Sequence, residues 1–203
     1  MRISIATEKA VKYACFNFHY AKSRPGYSYA FNVFNDKDEW CGVILYGLGA
    51  NTHIASAFGL FQGEVFELLR VALNGKQEFT SQCVAATLRE LKRINQKIKI
   101  IVSYADKDQD HTGIIYQATN WLYLGCVCEN KKGSSIMVNG IKKHRRALYS
   151  LYGTSNFEYI KANVDKHAQT LTAKGKHKYI FCFDKKLRKK YLKQSLPYPK
   201  KDV

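Results

Sequence analysis

The stretch IIVSYADKDQDHTGIIYQATNW, Ile100 to Trp121, gathers Ser103, Tyr104, Asp106, His111 and Tyr116 around one strand end. These groups have complementary chemistry. Asp106 can accept a proton or hold a metal, and Tyr116 can donate a proton to a basic leaving group. His111 is either a working imidazole or, with Asp110 and Thr112 beside it, part of a helix cap. A second group lies upstream in FELLRV, where Glu67 and Arg70 are three apart in a strand and so face opposite sides. One of the two then looks toward the chemistry, and a surface ion pair is the bland alternative for Arg70.

Elements of definite type must position these residues. IKIIVSYAD is a β-branched run suited to a buried central strand. A helix, TGIIYQATN, and a strand, WLYLGCVCE, follow. Upstream, RISI reads as a strand, and Thr7 caps the helix EKAVKYACFNF. YSYAFNVF and EWCGVILYG make an antiparallel hairpin around NDKD. EVFELLRVALN is a further strand, and SQCVAATLRELKRIN a helix capped by Ser81 or Thr80. The order is β-α-β-β-β-α-β-α-β. It predicts an α/β or α+β fold with one mixed central sheet flanked by helices. A doubly wound dinucleotide fold is disfavoured, because no G-x-G-x-x-G follows a strand.

Beyond Glu129 the texture becomes basic. NKKGSS reads as a turn, HKYIFCF as a last strand, and DKKLRKKYLK as a cationic helix capped by Asp184. Residues 1–130 are accordingly expected to form the catalytic core. Residues 131–203 are expected to form a basic extension that packs on it and completes the sheet.

The 203 residues hold 33 Lys+Arg against 16 Asp+Glu, a net charge of +17. Such an excess concentrates polyanions and points to nucleic acid before a membrane. Two runs carry it: Lys142, Lys143, Arg145 and Arg146 with Tyr149 and Tyr152, and Lys185, Lys186, Arg188, Lys189 and Lys190 with Tyr191. Cations of this kind bind phosphates, and the aromatics can stack on bases. The cysteines at 15, 41, 83, 126, 128 and 182 form no C-x-x-C pair and read as reduced core thiols. With no secretory signal and no apolar run long enough for a membrane span, a cytoplasmic protein is expected.

VSYADKDQDHTGIIYQATNWLYLG, together with FNFHY, FELLRV, YGTS and the ending KHKYIFCFDKKLRKKYLKQSLPYPK, resembles the phage Mom family of DNA-modifying proteins, from about His19 to Lys200. The element order is similar to that of the GNAT acyltransferases. Asp110 departs from the family pattern, which has Gly before the His. The resemblance implies conversion of adenine N6 in duplex DNA to a carbamoylmethyl form, shielding phage DNA from restriction in the host cytoplasm. It implies a splayed sheet with the donor near Ser103 and Tyr104, and Tyr116 as acid toward a departing thiolate. An active-site or donor role follows for Arg70, a base or ligand role for His19, and a stacking or ligand role for Tyr20. An acyl-CoA donor and an iron on His19 and Asp106 are the implied cofactors. Ser81 would place a helix N-terminus on the donor's pyrophosphate, although the Q/R-x-x-G-x-G/A loop of GNAT enzymes is replaced by NGKQEFTSQ. Two other readings stand beside this one: an ordinary acetyltransferase acting on a protein or small amine, and a non-catalytic DNA-binding protein.

Overall fold

Apolar alternation and short caps place most elements where the sequence predicts them. The computed structural model describes residues 1–49 and 53–200, the Ser134 side chain excepted. In chain order these form β1 (Arg2–Ile5), α1 (Glu8–Asn17), β2 (Tyr29–Phe34), β3 (Trp40–Gly47), β4 (Val65–Leu73), α2 (Thr80–Ile94), β5 (Ile100–Asp106), α3 (Ile114–Gln117) and β6 (Leu122–Val127). There follow β7 (Lys132–Val138), β8 (Ile141–His144), α4 (Arg145–Tyr152), α5 (Phe157–Asn163), β9 (Gln169–Thr172), β10 (Lys176–Cys182) and α6 (Lys185–Leu192). Thr7 Oγ1 accepts from Ala10 N at 3.3 Å and Asp184 Oδ1 from Leu187 N at 2.8 Å, so both expected caps are present.

The seven-stranded sheet runs β1-β2-β3-β4-β5-β10-β6. Strands β1 to β4 are antiparallel neighbours, whereas β4 and β5 run parallel. That parallel pairing covers only Val65–Glu67 against Ile100–Val102. Beyond it, β4 continues to Leu73 and β5 to Asp106 with no further pairing between them, so the sheet splits there.

A bulge sits beside the split. Leu45 faces Arg70 while Tyr46 faces Leu68, which leaves Leu69 as an extra residue in β4. Residues opposite one another share a face, so Arg70 lies on the side of Leu45 and Glu67 on the side of Gly47. Glu67 and Arg70 therefore share one face, and the opposite-face expectation is corrected. The extra residue reverses the simple alternation.

That face carries α1, through Val11, Ala14 and Cys15 against Val43, Leu45 and Ala72. It also carries α6, through Leu187 and Tyr191 against Val65, Val102 and Ile180. The other face carries α2, whose Thr87 Oγ1 meets the buried Tyr46 hydroxyl at 2.8 Å.

The chain divides into two compact units, residues 1–104, 113–125 and 178–203 in one, and 105–112 and 126–177 in the other. This differs from the expected boundary at residue 130. Strand β10 lies between β5 and β6, so the late strand is internal to the sheet. The larger part of the second unit, 126–177, is thus an insertion between the neighbouring strands β6 and β10, and 105–112 comes from the β5–α3 connection; residues 201–203 lie outside the described residues. It is built on a three-stranded sheet, β8-β7-β9, with Ile136, Val138, Leu148, Ile160 and Ala168 as its core. The expected NKKGSS turn is also corrected, because β7 already begins at Lys132. Among the described residues no helix is long and apolar enough to cross a membrane.

Candidate functional site

In the first unit the chemistry collects at the split. Strand alternation turns Ser103 away from Val102 and Tyr104, toward the face of α2 and α3. Its hydroxyl lies 2.8 Å from the Tyr116 hydroxyl and 3.3 Å from the Leu68 carbonyl, next to the bulge. Ser103 thus spans the gap between unpaired strands and fixes the phenol of α3.

Tyr116 is 7% exposed. Its ring packs on Trp121 at 5.0 Å and on Tyr179 at 5.2 Å. Gly113, immediately before α3, has φ +82°, and a Cβ there would lie 2.4 Å from the Tyr179 ring. Only glycine gives both that backbone and that approach. Burial pushes the Tyr116 pKa up to about 12 against the lowering effect of the Ser103 hydrogen bond, and the nearby Tyr20, Tyr179 and Glu67 raise it further. At neutral pH the phenol is protonated, which excludes it as a ground-state base and leaves it a donor.

The α1 face supplies the other groups. Glu67 reaches Gly49 so closely that a Cβ there would meet Oε2 at 2.3 Å. Arg70 donates through Nη1 to the Leu69 carbonyl at 2.7 Å, and its buried Nε has no partner among the described residues. His19, 9% exposed, stacks on Tyr20 with ring centroids 4.3 Å apart. Its Nδ1 accepts from Ala21 N at 3.0 Å. In the neutral ring the proton therefore sits on Nε2, and His19 presents a donor there. Tyr20 is 48% exposed. Trp40 and Trp121 are committed internally, Trp40 through Nε1 to Asn32 Oδ1 at 3.0 Å and Trp121 by complete burial.

Several expected residues occupy other roles. Tyr104 points to the α1 face and packs on the cluster of Val65, Val102 and Tyr191, so it does not share the surface of Ser103. Phe79 occupies the N-cap of α2 with no side-chain bond, which corrects the expected Ser81 or Thr80 cap. Ser81 instead lies in the first turn, which contains no acidic residue. Gly113 is likewise the N-cap of α3, so Asp110, His111 and Thr112 do not cap it.

Asp106 and His111 belong to the second unit. There Asp106 Oδ1 accepts from Asp108 N at 3.0 Å, capping a 3-10 turn, and Oδ2 lies 3.9 Å from Lys176 Nζ. His111 is exposed, with its backbone N–H on the Asp106 carbonyl. Among the described residues no three His, Cys, Asp or Glu side chains gather where they could hold a metal ion. His19 Nδ1 and Asp106 Oδ1 are already spent on backbone donors, so the expected iron site on these two residues is not supported.

The basic runs also separate. Lys142 pairs with Asp108 at 2.5 Å, and Arg145 donates to the carbonyls of Gly133 and, at 3.2 Å, Ser155. Lys143, in β8, is half-buried, and Arg146 is exposed. Tyr149 is 65% exposed, whereas Tyr152 packs on the second unit's core. In α6, Arg188 donates to the Asn120 carbonyl at 3.1 Å and Tyr191 is buried against Phe58. Lys185, Lys186, Lys189 and Lys190 are exposed. Sequence reasoning missed Leu69 and Tyr179; the tyrosine's signal was its place in an alternating strand, which reads equally well as ordinary core.

Solved structures share this fold. A mutant of the spermidine N-acetyltransferase SpeG from Vibrio cholerae aligns over 90% of this chain and 95% of that one, at 8% identity and TM-score 0.52. A chimera of V. cholerae SpeG and hSSAT aligns over 95% and 99%, at 9% identity and TM-score 0.52. A Bacillus subtilis acetyltransferase in complex with CoA aligns over 90% and 99%, at 11% identity and TM-score 0.50. At these identities the likeness establishes the acetyltransferase fold alone. No curated protein matches the chain. The Mom protein family matches residues 1–200, nearly the whole chain. This match over nearly the whole chain places it in the Mom protein family.

Proposed function

We propose that this protein is a DNA-modifying transferase acting on the exocyclic amine of adenine. The observation that carries the proposal is the Ser103–Tyr116 pair, held at the mouth of the β4–β5 split with Glu67 and Tyr20 close enough to affect the phenol. The family membership and the net charge of +17 support DNA as acceptor.

The first turn of α2 has N–H groups without a side-chain cap and lacks acidic residues, so it suits the pyrophosphate of an acyl-CoA. When bound, such a donor supplies an electrophilic carbon and a thiolate leaving group. The amine of adenine is a poor nucleophile because its lone pair is delocalised into the ring. Attack forms the bond from N6 to the donor's acyl carbon, breaks that carbon's bond to sulfur and releases one N6 proton, which gives an N6-acyl adenine. Glu67, on the α1 face, is the carboxylate placed to take that proton. Tyr116 faces the leaving group from α3. With its pKa near 12 against about 8.5 for an ordinary thiol, complete proton transfer to the thiolate is uphill by roughly 5 kcal/mol. Its role is then a hydrogen bond to the developing thiolate. Tyr20 stacks on the extruded base, whose removal from the duplex costs a few kcal/mol.

Acyl transfer to N6 places a carbonyl on the nitrogen, whereas the carbamoylmethyl group places a methylene there. The deciding experiment is therefore chromatographic mass analysis of deoxyadenosine from plasmid DNA co-expressed with the protein, with synthetic standards for both products. An adduct is expected, reduced about a hundredfold or more in Tyr116→Phe and Glu67→Gln. Unmodified nucleosides in the presence of folded protein would refute the proposal.

A further inference from the structure

Helix α6 and the residue after it carry Lys185, Lys186, Arg188, Lys189, Lys190 and Lys193, but these cations do different jobs. Leu187 and Tyr191 turn inward to the cluster of Val65, Val102 and Ile180. Arg188 ties the helix to the Asn120 carbonyl, just beyond α3. What remains outside is Lys186, Lys189, Lys190 and Lys193, at the i, i+3, i+4, i+7 spacing of a single helical stripe. With Gln194 they line a shallow depression. All four are exposed, and none has a carboxylate partner among the described residues. Like charges at this spacing repel and weaken a helix, a cost that a bound polyanion offsets.

We infer that this stripe is the phosphate-binding surface on which duplex DNA docks, an inference that rests on the DNA-modifying reading above. Three features favour DNA phosphates. The stripe extends about 10 Å along the helix, or about three nucleotide steps of 3.4 Å. It is made of lysines, compact charges that attract phosphate without the bidentate geometry that reads base edges. It also belongs to the helix that packs on the sheet face of Glu67 and Arg70, opposite the face of α2 and Ser103. DNA and donor would thus arrive on opposite faces and meet through the split between β4 and β5. Binding through α6 is therefore indifferent to base sequence.

The test uses the full chain and fluorescence anisotropy with two duplexes of unrelated sequence, titrated from about 50 to 200 mM salt. Wild type is compared with K186Q/K189Q/K190Q/K193Q and with K9Q/K12Q/K37Q/K97Q, which removes the same charge elsewhere on the surface. A third variant replaces the four stripe lysines with arginine. Losing four phosphate contacts should flatten the log–log salt slope by about 3.6, so the stripe variant should lose roughly a hundredfold less affinity than wild type over that range. The elsewhere variant should keep nearly all of the slope, and the arginine variant should retain it. Equal losses in the two glutamine variants would overturn the inference, as would stripe-dependent binding to phosphatidylserine vesicles without binding to duplex. A wild-type protein that fails to bind DNA at all would remove the underlying reading as well. Wild-type binding with an unchanged slope in the stripe variant would remove this inference alone.

Discussion

The two basic regions, 141–152 and 185–193, look interchangeable as strings of Lys and Arg with interleaved Tyr. Their structures differ in what the cations do. In 141–152, Lys142 is paired with Asp108, Arg145 is spent on two carbonyls and Lys143 is half-buried, which leaves Arg146 exposed. In α6, Arg188 alone is spent internally and a stripe of lysines stays open to solvent. Charge density alone therefore does not identify a polyanion surface. What counts is the charge left after the protein's own carboxylates and carbonyls have been served.

The strongest way to break the contrast is to detach α6. Tyr191→Ala removes a ring buried against Phe58 and should cost about 3–4 kcal/mol in denaturant unfolding. DNA affinity should fall with it even though every lysine remains. Arg145→Ala should destabilise the inserted unit by about 1.5 kcal/mol, through loss of bonds from a charged group to two carbonyls. The DNA salt slope should then change by less than about 1, which separates a structural cation from a phosphate contact. Asp184→Ala deletes the α6 cap at a cost of about 1 kcal/mol, read as a lower unfolding midpoint and faster amide exchange in that helix.

Acidity sharpens the same comparison. Partial desolvation, then Arg146 and Lys176, hold the His144 pKa below its ordinary 6.5, and its Nδ1 accepts from Arg146 N as the cap of α4. His177 is lowered for the same first reason, with Lys107 adding to it. Below pH 6.5 the unfolded chain binds these protons before the folded one does, so the stability they contribute declines as pH falls toward the depressed values. Protection against amide exchange in the inserted unit, taken relative to the intrinsic exchange rate at each pH, should fall between pH 7 and 5, with a smaller effect in His144→Gln, while the lysine stripe keeps its charge. The smallest expected effect is that of Asp108→Asn. This partly exposed pair is worth no more than about 1 kcal/mol, yet its loss frees Lys142 and should steepen the DNA salt slope by up to about 1.

Much of the fold was legible. The β-branched runs, the hairpin around NDKD and the caps at Thr7 and Asp184 are local signals, and the structure has them in order. The Leu69 bulge was not legible, since an extra residue in FELLRV leaves no mark on composition, yet it puts Glu67 and Arg70 on one face. The Phe79 cap was hidden as well: the neighbouring Thr80 and Ser81 are better cap formers, yet both lie inside the helix, where Thr80 Oγ1 accepts from Gln77 Nε2 at 2.9 Å. For the site, Ser103 and Tyr116 lie close in sequence and their meeting could be anticipated from strand and helix geometry. The Lys142–Asp108 and Lys176–Asp106 pairs join residues distant along the chain, and no spacing rule anticipates them.

The insertion between β6 and β10 has a consequence for how the chain assembles. These strands are sheet neighbours, yet about fifty residues separate them, and closing a flexible loop of that length costs about 3–4 kcal/mol. At the root of the insertion a Cβ on Gly175 would lie 2.7 Å from Cys126 Sγ, so the two ends leave side by side. An insert that has already collapsed around Ile136 and Leu148 therefore behaves as a tight turn made of folded protein, and delivers the late strand to its slot with most of the search already done.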